Sequence, residues 1–404
     1  MSSNAPTPAT QAAPMTHLKP TSAATATAVE WTDPARAQLF NIWLEQVAAL
    51  HGLQPATLQL ASADASFRRY LRISSLNGSR IIMDAPPAKE DCRPFVHVAG
   101  LMAQAGLHAP EVLAWDEAHG FMLLSDLGQH TMMALINPDL PQDNFERYMQ
   151  AVDVLIAWQL ASQPSVLPPY DETLLRRELE LFPEWYLGRH RGIAVEGEVR
   201  STLDDAFKHI VAQNLSWPSV YVHRDFMPRN LMVAEVDKSP TLGADASSLP
   251  PEGARFTSGR PSGETLPPAL GILDFQDAVY GPVTYDIASL MRDAFLSWDE
   301  EFVLDITIRY WQKARKAGLP VGDDFGEFYR GVEWMGLQRH LKIAGIFARL
   351  TLRDGKPKYL ADTPRFIHYI RSTCNRYREL KPLLRLIDKV EGFEALSGFA
   401  YGRV

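Results

Sequence analysis

The sequence predicts an α+β protein of two lobes, a small β-rich N-terminal lobe over residues 31–125 and a larger, mostly helical C-terminal lobe over 126–404. Short runs rich in β-branched and aromatic residues concentrate before residue 125, and apolar residues at three- and four-residue spacing dominate after Gly128. Two short apolar strands in the second lobe each run straight into a carboxylate motif, at Asp225 and at Asp274. With 404 residues and a 46% apolar share, the chain can bury a sizeable core.

Residues 1–30 are mostly Ala, Thr, Ser and Pro with a single lysine, Lys19, and cannot bury enough apolar area to offset the entropy of ordering. A disordered tail is expected there rather than a transit peptide, which would be rich in arginine. From Trp31 a helix is predicted through Leu39, Ile42, Trp43, Val47 and Leu50, ending at Gly52. The runs Phe67 to Ile73 and Arg80 to Met83 flank Asn77-Gly78, the turn dipeptide of a β-hairpin. A helix through Phe95, Val98, Leu101 and Met102 precedes two short strands, Val112 to Trp115 and Phe121 to Leu124.

In the second lobe Asp143 and Glu146 form a capping-box start for a helix carrying Tyr148, Val152 and Leu155. Another helix is expected to start at Ser297, with Glu300 three residues on, and to stop at Gly318 before Pro320. Strands are expected at Val220 to Val222 and Leu270 to Leu273. The Pro-, Gly- and Ser-dense stretch between them, about 236–268, reads as a flexible insertion.

Charge and composition narrow the function. Forty basic against 48 acidic residues leave a formal charge of −8, so no global positive field exists to bind nucleic acid. Cys92 and Cys374 stand far apart without a metal-binding pattern and read as free thiols of a reducing compartment. No run approaches the roughly 20 apolar residues of a membrane span. A cytoplasmic protein, a monomer with neither membrane nor nucleic-acid partner, is expected.

The segment His223-Arg224-Asp225-Phe226-Met227-Pro228-Arg229-Asn230 follows the strand at Val222. It is the H-R-D-x-x-x-x-N catalytic loop of phosphoryl transfer. The second motif, Gly271-Ile272-Leu273-Asp274-Phe275-Gln276-Asp277, ends an apolar strand in a carboxylate. Together they supply a carboxylate for the acceptor hydroxyl, Asp225, and two hard oxygen donors for Mg2+, Asn230 and Asp274. ATP and Mg2+ are therefore the expected cofactors.

On these motifs the chain resembles the aminoglycoside phosphotransferase and choline kinase branch of the protein-kinase-like fold, from about residue 35 onward. The resemblance implies Asp225 as catalytic base beside Arg224, and Asn230 and Asp274 as metal ligands. It places the nucleotide against Ser66, Phe67 and Arg69 of the phosphate loop and against the hinge Ser125-Asp126-Leu127-Gly128. Asp286, after Gly281-Pro282, would brace the catalytic loop or cap the helix starting at Ile287. Longer strings, Asp64 to Tyr70, Met83 to Pro87, Glu180 to Tyr186 and Asp274 to Pro282, are similar to the bacterial cell-wall recycling kinases. That resemblance implies transfer to the anomeric hydroxyl of N-acetylmuramate or N-acetylglucosamine. An aminoglycoside, choline or other small alcohol is the alternative acceptor, and a nucleotide-binding regulator without turnover is the alternative class.

Two features depart from the kinase pattern. The phosphate loop offers Ala65 and Ser66 in place of glycines, and the strand that should end in V-A-I-K reads Ile81-Ile82-Met83-Asp84. Arg68, Arg69 or Arg72 is the candidate replacement for the missing lysine. On the sugar side Glu180, Trp185, Arg339 and His340 are the candidates. Trp185 and Tyr186 are placed to stack on a pyranose ring. Of Gln338, Arg339, His340 and Lys342 on a C-terminal helix, the basic groups are candidates for a lactyl carboxylate or a phosphate, while at least two of the four are expected on a solvated helix face.

Overall fold

The computed structural model describes residues 29–63, 67–233 and 270–393. Most of the N-terminal tail, Ser66 with its neighbours Asp64 and Ala65, and the 236–268 insertion lie outside the described residues. The chain divides into two compact units. One holds the residues up to Glu90 with Ala114–Leu123, and the other holds Asp91–Leu113 with Leu124 onward.

In the smaller unit α1 (Pro34–His51) starts where the Asp33 carboxylate accepts from the N–H groups of Ala35 at 2.9 Å and Arg36 at 3.3 Å. It ends at Gly52, whose φ of 61° is left-handed. Its buried stripe is Phe40, Trp43, Leu44 and Val47. The strands β1 (Leu53–Ala63), β2 (Arg69–Ser75) and β3 (Gly78–Asp84) form an antiparallel meander. β4 (Val112–Asp116) and β5 (Phe121–Ser125) complete a sheet of order β1-β2-β3-β5-β4. The Asn77-Gly78 hairpin forms as expected, with Ser75 opposite Gly78.

β1 carries no signal that sequence reading recovers. Pro55 interrupts it and its apolar residues do not alternate, which an edge strand tolerates because one side of its ladder is unpaired. Register shifts between Gln54 and Gln59 accommodate the irregularity.

The larger unit begins with α2 (Arg93–Gln104). β6 (His130–Thr131) leads to α3 (Phe145–Leu160), α4 (Glu172–Leu179), a π-helical turn at Phe182–His190, and α5 (Gly197–Leu215). β7 (Ser219–Val222) and β8 (Leu231–Val233) flank the catalytic motif, and β9 (Gly271–Ile272) and β10 (Val279–Pro282) flank the second one. β7 pairs with β10, and β8 lies between β6 and β9. α6 (Tyr285–Met291), α7 (Glu300–Lys316), α8 (Phe325–Leu352), α9 (Thr363–Arg376) and α10 (Lys381–Glu391) follow.

Two helix starts differ from expectation. A 3-10 turn, Pro141–Asn144, precedes α3, so Asp143 lies before the helix rather than capping it. α7 is capped by Asp299, which accepts from Phe302 N–H at 2.8 Å, so Ser297 is not the cap. In both places a second polar residue near the start competed for the role.

α8 is the spine of the larger unit, and its polar string is not a solvated face. Gln338, Arg339, His340 and Lys342 are all buried, because α8 is covered on several sides by other helices. Among the described residues no helix is long and apolar enough to cross a membrane. Cys92 and Cys374 are buried and form no disulfide, and burial pushes the Cys374 thiol up to about 12.

Close packing on α8 depends on glycine at one point. A Cβ at Gly345 would stand 2.3 Å from the Leu181 carbonyl oxygen, a backbone atom that cannot rotate away. Gly345→Ala should therefore destabilise the protein by about 1–3 kcal/mol through overpacking, even though alanine favours a helix by about 1 kcal/mol. Urea denaturation checks this; a midpoint at or above the parent's contradicts the packing.

Candidate active site

The site is built where β7 delivers the chain into His223. Arg224 then takes a φ of 77°, left-handed and costly for a residue with a Cβ. The buried Asp286 carboxylate holds this turn, accepting from the N–H of His223 at 2.7 Å and of Arg224 at 3.0 Å. Asp286 lies inside α6, whose cap position is Thr284, so it braces the loop and does not cap the helix. Burial pushes its carboxyl up to about 7, against the opposing pull of the two N–H donors and Arg339.

His223 is locked as a neutral ring. Its Nε2 lies 3.0 Å from the Leu273 carbonyl, which can only accept, so Nδ1 accepts the Asp225 N–H at 3.3 Å. Burial lowers its pKa to about 4. The same ring therefore ties this loop to Leu273, which follows β9 and directly precedes Asp274.

Asp225 is half-buried. Burial alone would raise its carboxyl, but Lys342, Arg339 and Arg224 together outweigh that and hold it below the usual carboxylate range. Asn230 Nδ2 donates to the Asp225 carbonyl at 2.8 Å and lies 3.3 Å from Asp274 Oδ2. With its amide nitrogen so placed, Oδ1 is the remaining acceptor of the side chain. Asp274 is exposed and also left-handed, with a φ of 64°. The structure thus brings Arg224, Asp225, Asn230 and Asp274 together.

Behind them lies a buried charge network that sequence reading missed. Glu178 pairs with Arg224 and, at 3.0 Å, with Lys342. It also accepts from Tyr170 Oη at 2.6 Å and Gln338 Nε2 at 3.0 Å. Burial would raise the Glu178 carboxyl, but Lys342, Arg224 and Tyr170 outweigh it and hold it at about 2. Arg339 Nη1 donates to the Arg224 carbonyl at 2.5 Å, and its guanidinium lies 4.8 Å from the Tyr285 ring centre. Glu178 stands two residues before the Glu180 to Tyr186 string, which was the available clue.

The sugar candidates are largely committed elsewhere. Glu180 pairs with Arg200 at 2.7 Å. Trp185 is buried with the Arg189 guanidinium 4.0 Å from its ring centre, so that face is closed to a pyranose. His340 is buried, stacks on Tyr369 and bonds the Arg292 carbonyl at 3.2 Å. Arg339 positions the loop from within the core and is not open to a ligand.

In the smaller unit Arg69 is likewise taken. Its Nε donates to the buried Asp84 at 3.0 Å and its guanidinium stacks on Trp31 at 4.1 Å, so it holds the end of β3 and is no open phosphate cation. Arg36 grips the other Asp84 oxygen at 2.8 Å. Arg68 pairs with Glu90 at 3.1 Å, beside exposed Phe67. The other described residues expected to meet the nucleotide lie in the larger unit: Ser125 exchanges bonds with Glu111, Asp126 accepts from Gly128 N–H at 3.0 Å, and Leu127 is buried.

A half-buried carboxylate on a braced loop, beside two oxygen donors at a strand end, defines a phosphoryl-transfer enzyme of the protein-kinase-like fold. The chain belongs to the phosphotransferase enzyme family (APH), whose model matches residues 57–242 and 267–322. It is 45% identical to the N-acetylmuramate/N-acetylglucosamine kinase of Pseudomonas aeruginosa, over 90% of this chain and 100% of that one. It is 43% identical to the enzyme of that name from Neisseria meningitidis, over 85% and 94%. The solved ethanolamine kinase of Plasmodium vivax has the same fold, with a TM-score of 0.53 at 10% identity, over 88% of this chain and 92% of that one.

Glu178→Gln should destabilise the protein at neutral pH by about 3 kcal/mol, since it leaves the buried Lys342 and the half-buried Arg224 without their carboxylate. The sign follows from the lowered carboxyl: its stabilisation is full above 4.5 and is lost as pH falls from there toward 2. Urea denaturation from pH 7 downward should show the gap between parent and variant closing below about pH 4.5. A gap independent of pH contradicts the ionised pair.

Proposed function

We propose that the protein transfers the γ-phosphoryl group of ATP to the anomeric hydroxyl of N-acetylmuramate or N-acetylglucosamine. The observation that carries this reading is Asp225, kept ionised by Lys342, Arg339 and Arg224 and presented beside Asn230 and Asp274. The relatives of 45% and 43% identity bear names that specify these two sugars as acceptors.

The donor set fits Mg2+, a hard cation that takes one or two carboxylates and completes its shell with water and phosphate oxygens. Asp274 and Asn230 Oδ1 would hold it, and bound there it would neutralise charge on the nucleotide phosphates. The chain's own residues do the rest. Asp225 accepts a hydrogen bond from the sugar hydroxyl and aims its oxygen at the γ-phosphorus. A new oxygen–phosphorus bond forms as the bond to the β-phosphate oxygen breaks, ADP departs, and the hydroxyl proton passes to Asp225. A carboxyl held below its usual range is a weak base, which suits an anomeric hydroxyl because it ionises more readily than an ordinary alcohol. Asp286, Arg339 and Glu178 act as positioning residues through the loop.

Two substitutions test the assignments. Asp225→Asn should lower kcat by about 10²- to 10⁴-fold with ATP affinity nearly intact. Equal turnover of variant and parent on either sugar removes Asp225 from the reaction. Asp274→Ala should abolish Mg2+-dependent nucleotide binding, since the neutral Asn230 amide alone does not hold the cation. Unchanged Mg-ATP affinity by calorimetry contradicts that role.

A further inference from the structure

The catalytic loop presents a cation that the mechanism above leaves unused. Arg229 stands four residues past Asp225 and directly before Asn230, and it is exposed. Among the described residues no carboxylate is within ion-pair distance of it, although its charge acts on the buried Asp293 carboxyl, pulling it down against burial. Its guanidinium instead lies 4.8 Å from the centre of the Phe295 ring. Phe295 is half-buried and packs on Phe347 at 5.9 Å, which in turn meets Tyr359 at 5.0 Å. Phe295, Ile346, Leu350 and Tyr359 are partly buried over the core of Ala294, Ile343, Phe347 and Phe366.

The neighbouring cations differ in state. Arg339 is buried and spent on the Arg224 carbonyl, and Lys342 and Arg224 share Glu178. A guanidinium can lie on an aromatic face and still offer a planar N–H fork that matches a carboxylate. N-acetylmuramate differs from N-acetylglucosamine by a lactyl ether that ends in a carboxylate. We propose that Arg229, supported by Phe295, receives this carboxylate and sets the preference between the two sugars. The proposal rests on the function proposed above.

The test is kinetics of the parent, Arg229→Gln and Arg229→Lys with each sugar, together with calorimetric binding of each. Arg229→Gln should lower kcat/KM for N-acetylmuramate about ten- to a hundredfold more than for N-acetylglucosamine, chiefly through KM, with a matching loss of N-acetylmuramate binding. Arg229→Lys keeps the charge without the fork and should recover part of that ratio. An unchanged ratio, or an equal loss on both sugars, overturns the role and leaves Arg229 as a packing residue of the loop. A parent that turns over neither sugar while hydrolysing or transferring from ATP elsewhere overturns the proposed function itself, and this proposal with it.

Discussion

One buried carboxylate fixes the active site. Asp286 accepts both the His223 and Arg224 N–H groups, and those two bonds hold Arg224 in a left-handed conformation that its side chain disfavours. The turn sends the Arg224 carbonyl toward Arg339, its guanidinium toward Glu178, and the next residue, Asp225, to a half-buried position between core and solvent. His223 extends the same bracing to the second motif through the Leu273 carbonyl. The loop carrying Asp225 and the segment from β9 to Asp274 are thereby hydrogen-bonded to one another, as a reaction dependent on positioning requires.

The charges behind the loop carry a cost. Burying Glu178, Lys342, Arg224 and Arg339 removes their hydration, and a set of apolar side chains of the same size could pack there without that penalty. What the ionic set provides is a field. Lys342, Arg339 and Arg224 act on Asp225 from inside the protein, where solvent screens little, and hold its carboxyl below the usual carboxylate range although its burial acts to raise it. Glu178 makes that arrangement tolerable by balancing two of the cations.

The residues that the fold brings together at the candidate site were legible because they come as contiguous motifs beside short strands. His223 to Asn230 and Gly271 to Asp277 each declare their chemistry within eight residues, and the Asn77-Gly78 hairpin is as local. What was not legible depends on partners distant in sequence. The string Gln338 to Lys342 looks like a solvated helix face until α8 is seen covered on several sides, and Trp185 looks like a sugar platform until Arg189 is seen lying over it. Arg69 suits a phosphate until Asp84, fifteen residues on, claims it. Glu178 had no motif to announce it, since its role exists only once Arg224 and Lys342 converge.

The central claim is that Asp225 directs the anomeric oxygen of an N-acetylated amino sugar onto the γ-phosphorus of ATP. Phosphorus NMR of the product formed from ATP and N-acetylmuramate or N-acetylglucosamine tests it most directly. The account predicts a single new sugar phosphate whose phosphorus couples to the anomeric proton. Coupling to the C6 methylene protons instead, or turnover with an aminoglycoside and neither sugar, would contradict it.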